Sequence, residues 1–358
     1  DSPSDKRLFS REAELLYSWF VRQSIRMARR DGMQMLPGEE ASPWSRSMFE
    51  AALRVGGDVA DAALAKHSLP PLELRQFKAK DRHSVHLPEP STNSEWAEMG
   101  LLRSSWEPES PRLLLDYDSD GLKSELFVDK HVLWSGDCTP QLTVNGKLLE
   151  LSDPWHEVCW HSDEDVACIE IEADFSDGWK IQRQFLLARQ DDFLLVADAL
   201  LGPEEGMIQY DCHWPTGQSM GISPEKDTTE IVLTAGKRKV ARLLPLALPE
   251  WRCDGRNPGA IRAGDRGLQV SMRRTGQRMY VPLFIDLRRS RLKSEYTWRQ
   301  LAVGELLQPS PADVAVGYRV QLGRAQWLLY RSLAPQASRT VLGQNYFHEF
   351  VCGRFDRS

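Results

Sequence analysis

The sequence predicts a chain that is α+β and mostly β, a short N-terminal helical layer followed by a large antiparallel β-sandwich of the super-sandwich kind. Three observations predict it. The first 70 residues hold the only long stretches with helical periodicity. More than a dozen short apolar runs follow, each closed by Gly, Asn, Asp or Pro. No helical pattern lies between those runs, so parallel crossovers are excluded and the strands must pair antiparallel.

The helices come first. From Arg7 to Arg30 there is no Gly or Pro, and Phe9, Ala13, Leu16, Phe20 and Met27 recur near a 3.6 period, widened by Leu15 and Trp19. Arg26, Arg29 and Arg30 suit a helix C-terminus, and Asp31-Gly32 supplies the stop. Ser42 before Pro43 predicts the cap of a second helix, ending at Gly56-Gly57. Asp58 caps a third, Ala-rich helix that closes before Pro70-Pro71. The expected organisation is a helical segment over 1–70, a linker over 71–95 and the sandwich over 96–358.

The strand pattern then runs to the end. Expected strands include Gly100 to Trp106, Arg112 to Tyr117, Leu126 to Trp134, Gln141 to Val144 and Lys147 to Leu151. Val166 to Phe175, Trp179 to Ala188 and Phe193 to Leu201 read as a meander. Asn145-Gly146 carries the tight hairpin signal. Further runs lie at Met207 to Trp214, Glu230 to Ala235, Gly267 to Arg274, Tyr280 to Leu287, Tyr318 to Leu322 and Gln326 to Ser332.

Composition narrows the function classes. The 358 residues carry 45 Lys+Arg against 51 Asp+Glu, a net charge of −6. A general nucleic-acid or anionic-membrane binder carries a net basic field, so neither partner is expected. No apolar run approaches the roughly 20 residues that span a bilayer; Phe193 to Leu201 and Leu243 to Leu248 are strand-sized. Six cysteines (138, 159, 168, 212, 253, 352) form no CxxC or regular framework and read as buried free thiols, with a Cys159–Cys168 pairing open if their strands are neighbours. The sequence leaves oligomeric state open.

There is no P-loop, GxGxxG, GxSxG or HExxH. What remains is His, Trp and carboxylate chemistry on strands. The densest cluster is Trp155-His156-Glu157-Val158-Cys159-Trp160-His161-Ser162-Asp163. On a strand Cys159, His161 and Asp163 share a face, with His156 opposite unless a bulge intervenes. That is too few convergent ligands for a metal; no metal or other cofactor is expected. His131, near Asp129 and Asp137, is the candidate acid–base residue. His213 follows Asp211 by two, so a carboxylate is placed to orient it. Twelve Trp is a high count; sugar rings stack on aromatic faces, and Trp134, Trp155, Trp160 and Trp214 stand near polar clusters. With His161 and His213 they are the candidate substrate-binding residues, beside the alternative that the indoles are core. The run Arg288-Arg289-Ser290-Arg291-Leu292-Lys293 is suited to carboxylates or sulfates, or is a solvated loop.

The order of these segments resembles the heparinase II/III-type polysaccharide lyases. Gly100-Leu101-Leu102-Arg103-Ser104 resembles the strand that opens their β domain. Leu142-Thr143-Val144-Asn145-Gly146-Lys147 resembles their hairpin, and Trp179 to Leu201, with Arg183 and Val196-Ala197-Asp198, is similar to their meander. The resemblance covers about 95 to 215 by pattern. It implies an incomplete (α/α) toroid joined to a sandwich, an acidic polysaccharide such as a glycosaminoglycan as partner, and β-elimination at a uronate. It suggests a periplasmic or secreted setting. It also implies that residues 7–67 are the tail of a toroid whose upstream helices lie outside this chain. Two positions depart. The family has a second His near His131, absent between Asp116 and Gly136, and His-Asn before the hairpin, where this chain reads Cys138-Thr139-Pro140-Gln141. Three readings follow: a lyase with His131 in proton transfer and Trp134 as a stacking wall, a catalytically degenerate carbohydrate-binding or structural sandwich, and a protein-interaction platform.

Overall fold

The computed structural model describes residues 10–38, 40–69, 72, 87–118, 121–264 and 266–355. Most of the expected linker over 71–95, and residues 7–9 of the first expected helix, lie outside them.

Three helices open the chain: α1 (Arg11–Met27), α2 (Arg46–Gly56) and α3 (Val59–Ser68). Ser10 caps α1 and Asp58 caps α3, the latter with a reciprocal bond from Asp61. The cap of α2 is Ser45 rather than the expected Ser42, so that helix starts three residues later. Val21, Ile25, Phe49, Leu53, Leu64 and Ala65 form the core of the layer, which closes over Trp106.

The rest is β structure in stacked layers. A five-stranded meander runs Thr92–Ser94, Met99–Arg103, Arg112–Asp116, Lys123–Val128, His131–Asp137. The expected single strand from Leu126 to Trp134 is two strands, because the chain turns at Asp129, whose φ of 57° is left-handed. An 11-stranded sheet lies beneath the meander. Its central strand, Phe193–Pro215, merges two expected strands across an irregularity between Leu201 and Gly206 and pairs with the equally long Gly267–Asp286. Asn145 and Gly146, both at positive φ, turn the expected hairpin.

The apolar run from Phe193 to Leu201 is explained by its place. Leu194, Val196 and Leu200 face the core shared with the meander, while Phe193, Leu195, Ala197 and Ala199 face a second core. A strand buried on both faces reads as a continuous apolar run. The second core is closed by a four-stranded sheet through Trp298, Tyr318, Val320, Trp327 and Leu329. A small sheet carrying Val341 covers its outer side.

The helical layer docks on the outer face of the meander. Met35 packs with Leu101, Leu114 and Phe127. Arg112, fully buried, donates to the Ala28 carbonyl where α1 ends, and Arg103, also fully buried, donates to Ser68 at the end of α3. Neither guanidinium has a carboxylate partner among the described residues. Burial pushes both below the ordinary arginine value, Arg112 to about 10 and Arg103 to about 8. The negative ends of two helices supply part of the compensating potential.

Candidate functional site

His131 opens the last strand of the meander, directly across from Val128. The tight turn at Asp129-Lys130 lifts it to the sheet's rim, where it is half-buried. It lines a cavity of about 340 Å³ together with Glu107, Glu109, Asp129, Arg238 and Arg289. The cavity runs into a neighbouring hollow of about 830 Å³, with Arg238, Lys239, Arg289 and Ser290 lining both. The second hollow adds Lys237 and Lys293 and has no acidic lining residue. The two form one groove, mixed in charge at the His131 end and cationic beyond it.

Local folding explains the cations. Lys237, Arg238 and Lys239 sit at the turn between Ile231–Ala235 and Arg238–Pro245, which Gly236 enters at φ 58°. A tight turn between paired strands leaves its side chains in solvent. The 288–293 run is split by its surroundings. Arg291 is buried on Asp286 and over the Trp327 ring, and Arg288 pairs with Asp192 at 3.3 Å. Arg289 and Lys293 have no ion-pair partner among the described residues, and neither do Lys237 and Arg238. Lys239 has only Glu225, at 3.7 Å.

Burial lowers the His131 pKa from its ordinary value. Asp129 pulls it up, but Lys130, Arg238 and Arg289 push it down, and the net direction is down. A lowered pKa suits an imidazole to accept a proton in its neutral form, and the cations beside it suit an anionic ligand. That is the arrangement a carbon-acid deprotonation needs.

The other candidates separate. Trp134, Trp155 and Trp214 are at most 4% exposed and belong to the main core. Trp134 and Trp214 meet edge-on at 5.2 Å, and Arg183 stacks over Trp214. This corrects their expected place on a cleft wall, because a ring packed on both sides offers a sugar no face. Trp160 is half-buried at the edge of that core, on the outermost strand Leu151–Ser162. His161 is exposed on the same strand, 2.9 Å from Asp163. His213 is exposed on the central strand. Asp211 does not orient it, because its oxygens accept from Ser271 and Gln209.

A register shift between Glu157 and Cys159 changes the face pattern. His156, Cys159 and His161 stand opposite Glu172, Glu170 and Cys168, alternate residues of one strand, and so share a face. No group of three or more metal-type ligands converges among the described residues. Cys159 and Cys168 lie on neighbouring strands but are not opposite each other, and both are free. The expectation of buried thiols holds for Cys138 and Cys212, whereas Cys159 and Cys253 are exposed. Cys138, at one of the departing positions, is fully buried and its thiol is pushed up to about 12 by that burial. Such a thiol is a poor metal ligand at neutral pH.

The Lys237–Lys239 cations were missed in the sequence, although a basic tripeptide just after Gly236 was a readable hairpin tip.

The fold is that of a heparinase III-like polysaccharide lyase: a helical part joined to a multilayer antiparallel sandwich. Heparan sulfate lyase HepC from Pedobacter heparinus superposes with a TM-score of 0.58 at 12% identity, over 87% of this chain and 52% of that one. The heparinase III-BT4657 gene product gives 0.57 at 10% identity, over 98% of this chain and 53% of that one. The chain thus spans about half the length of these structures, and the likeness is one of fold. No protein-family model matches the sequence, and no curated protein matches it. No helix among the described residues is long and apolar enough to cross a membrane.

Proposed function

We propose that this chain belongs to a protein that cleaves a uronate-containing acidic polysaccharide by β-elimination, with the groove beside His131 as one wall of its cleft. The observation that carries the reading is the juxtaposition of the half-buried His131 imidazole, its pKa lowered by burial, with the cations Lys237, Arg238, Lys239, Arg289 and Lys293. Guanidinium and ammonium groups neutralise the uronate carboxylate and sulfates. Neutralisation acidifies the C–H next to the carboxyl. His131 takes that proton, the electron pair forms the new carbon–carbon double bond, and the glycosidic carbon–oxygen bond breaks. The leaving oxygen takes a proton from the His131 imidazolium or from water as it departs, and His131 returns to its neutral form. The fold neighbours named as heparan sulfate lyase and heparinase III support the substrate class. Trp160, His161 and His213 extend the proposed contact surface for the polymer, outside the groove.

A second reading is that the groove binds the polymer without turnover. The stretch Cys138-Thr139-Pro140-Gln141, where the resembled family carries His-Asn, favours it, as does the lack of a Tyr or second His among the groove's lining residues. Ultraviolet absorbance of the unsaturated product separates the two, using heparan sulfate, chondroitin sulfate and alginate as substrates. Rising absorbance supports the lyase. Saturable binding with flat absorbance supports the second reading, and neither product nor binding overturns both.

A further inference from the structure

A cavity of about 910 Å³ lies away from His131, between the loop 246–258, the strand Gly267–Asp286 and the strand Tyr296–Leu301. Its lining includes Trp251, Arg274, Arg299, Tyr280 and Tyr318. Trp251 is 55% exposed, whereas Trp298, Tyr280 and Tyr318 are buried in the second core. Trp251 is thus the exposed aromatic surface of this cavity.

The loop that carries Trp251 is fastened on both sides. Thr229 Oγ1 donates to the Pro249 carbonyl at 2.7 Å, Thr297 Oγ1 to Glu250 at 2.6 Å, and Arg252 Nε to the Glu225 carbonyl at 3.0 Å. The backbone that carries the indole is therefore held in place. Arg274 and Arg299 line the same cavity, and their side chains have no ion-pair partner among the described residues. Arg274 lies near enough to the Tyr318 phenol to pull its pKa down against the larger effect of burial, which raises it. Asp254, the cavity's other acid besides Glu250, is occupied by Arg256 at 2.6 Å.

We infer that this cavity is a second, non-catalytic saccharide site. A pyranose ring stacks its C–H face on Trp251, and Arg274 receives a carboxylate or sulfate of the same sugar. Its volume suits a few sugar units. No imidazole lines it, and its two tyrosines, Tyr280 and Tyr318, are buried in the second core with their hydroxyl pKa pushed up by that burial, so it holds rather than cleaves. The site shares its ligand chemistry with the groove at His131 but none of its residues.

The test is calorimetric titration of the protein with a heparin-derived hexasaccharide. Two sites are expected. Trp251→Ala or Arg274→Gln removes one of them, with affinity there falling about tenfold or more. Trp251→Phe, which keeps a ring, retains most of it. Circular dichroism and the unfolding midpoint establish that each variant is folded. Arg289→Gln with Lys293→Gln removes the other site. A single site lost in that groove variant and untouched by Trp251→Ala overturns the second site and keeps the groove. A single site lost in Trp251→Ala and untouched by the groove variant does the reverse. No binding by the wild type overturns both.

Discussion

Arg183 and Asp198 stand directly opposite each other on neighbouring antiparallel strands and form a two-pronged ion pair inside the main core, with Nε to Oδ1 at 2.6 Å. Both are at most 2% exposed. Arg183 Nη1 also donates to the Cys138 carbonyl at 2.6 Å, and the Tyr210 hydroxyl donates to Asp198. Burial alone lowers an arginine pKa, but the Asp198 charge reverses the sign, so Arg183 stays charged. Trp155 and Trp214 lie over the guanidinium at 6.0 and 5.1 Å. The network ties the meander's exit at Cys138 to the middle of the large sheet, which fixes the frame on which the His131 strand is held.

Replacing Asp198 by Asn therefore strands a buried guanidinium and destabilises the fold by about 3–5 kcal/mol. Denaturant unfolding measures it. The double variant Arg183→Met, Asp198→Leu removes both charges and recovers part of the loss. A double variant worse than Asp198→Asn would mean that the pair stabilises by more than mutual neutralisation.

Trp134→Ala is expected to cost about 3–5 kcal/mol, because the ring is buried in the main core and meets Trp214 edge-on. Polymer affinity per folded molecule is expected to stay unchanged. An affinity loss in fully folded Trp134→Ala would return that indole to the cleft.

These two residues mark how much was legible. The layer order, the Asn145-Gly146 turn and the α3 cap were readable because each is a local signal of one or a few residues. The Arg183 and Asp198 positions were readable only as a pattern. That they pair in the core depends on the register of two strands, which no local signal sets. The indoles misled because proximity in sequence to polar residues does not say which face of a strand is covered. Trp134 has half-buried Ser135 beside it, yet its own side chain points inward. The groove was half readable. His131 and the 288–293 run were singled out separately, and only the fold places them around one cavity with the 237–239 turn.

His131→Ala is expected to abolish turnover while leaving polymer binding within about threefold, since the cations carry the binding. In the wild type the acidic limb of kcat/KM is expected below pH 6.5, the ordinary imidazole value, because burial and the neighbouring cations disfavour imidazolium. Removing a cation favours the protonated form, so Arg238→Gln moves that limb to higher pH. A limb that stays in place, or moves down, would show that the titrating base is another group.

Arg289→Gln with Lys293→Gln is expected to weaken polymer binding about tenfold or more at low salt. It should also flatten the dependence of affinity on ionic strength, because fewer small ions are exchanged on binding. Titration at several salt concentrations measures both. Arg291→Gln is the contrast. That guanidinium is spent on Asp286 and Trp327 inside the protein, so its loss should lower the unfolding midpoint and leave the salt slope alone.

Glu125 decides how the helical layer is held. Its carboxylate is fully buried and accepts from Arg29 Nε at 2.7 Å, from the Leu36 backbone N–H at 2.9 Å and from Ser135 Oγ at 2.9 Å. Arg29 and Leu36 belong to the segment that leaves α1, and Ser135 belongs to the His131 strand, so one side chain joins the helices to the sheet that carries the groove. Glu125→Ala leaves four donors unmet, Arg29 Nε and Nη2, the Leu36 N–H and Ser135 Oγ, a loss of about 3–5 kcal/mol. The sandwich keeps its own cores, which do not include Glu125. The loss is therefore expected to be local: amide exchange accelerates in α1 and at Leu36, while the strand Phe193–Pro215 keeps its protection. Uniform acceleration over both would mean that the helical layer and the sandwich unfold as one unit.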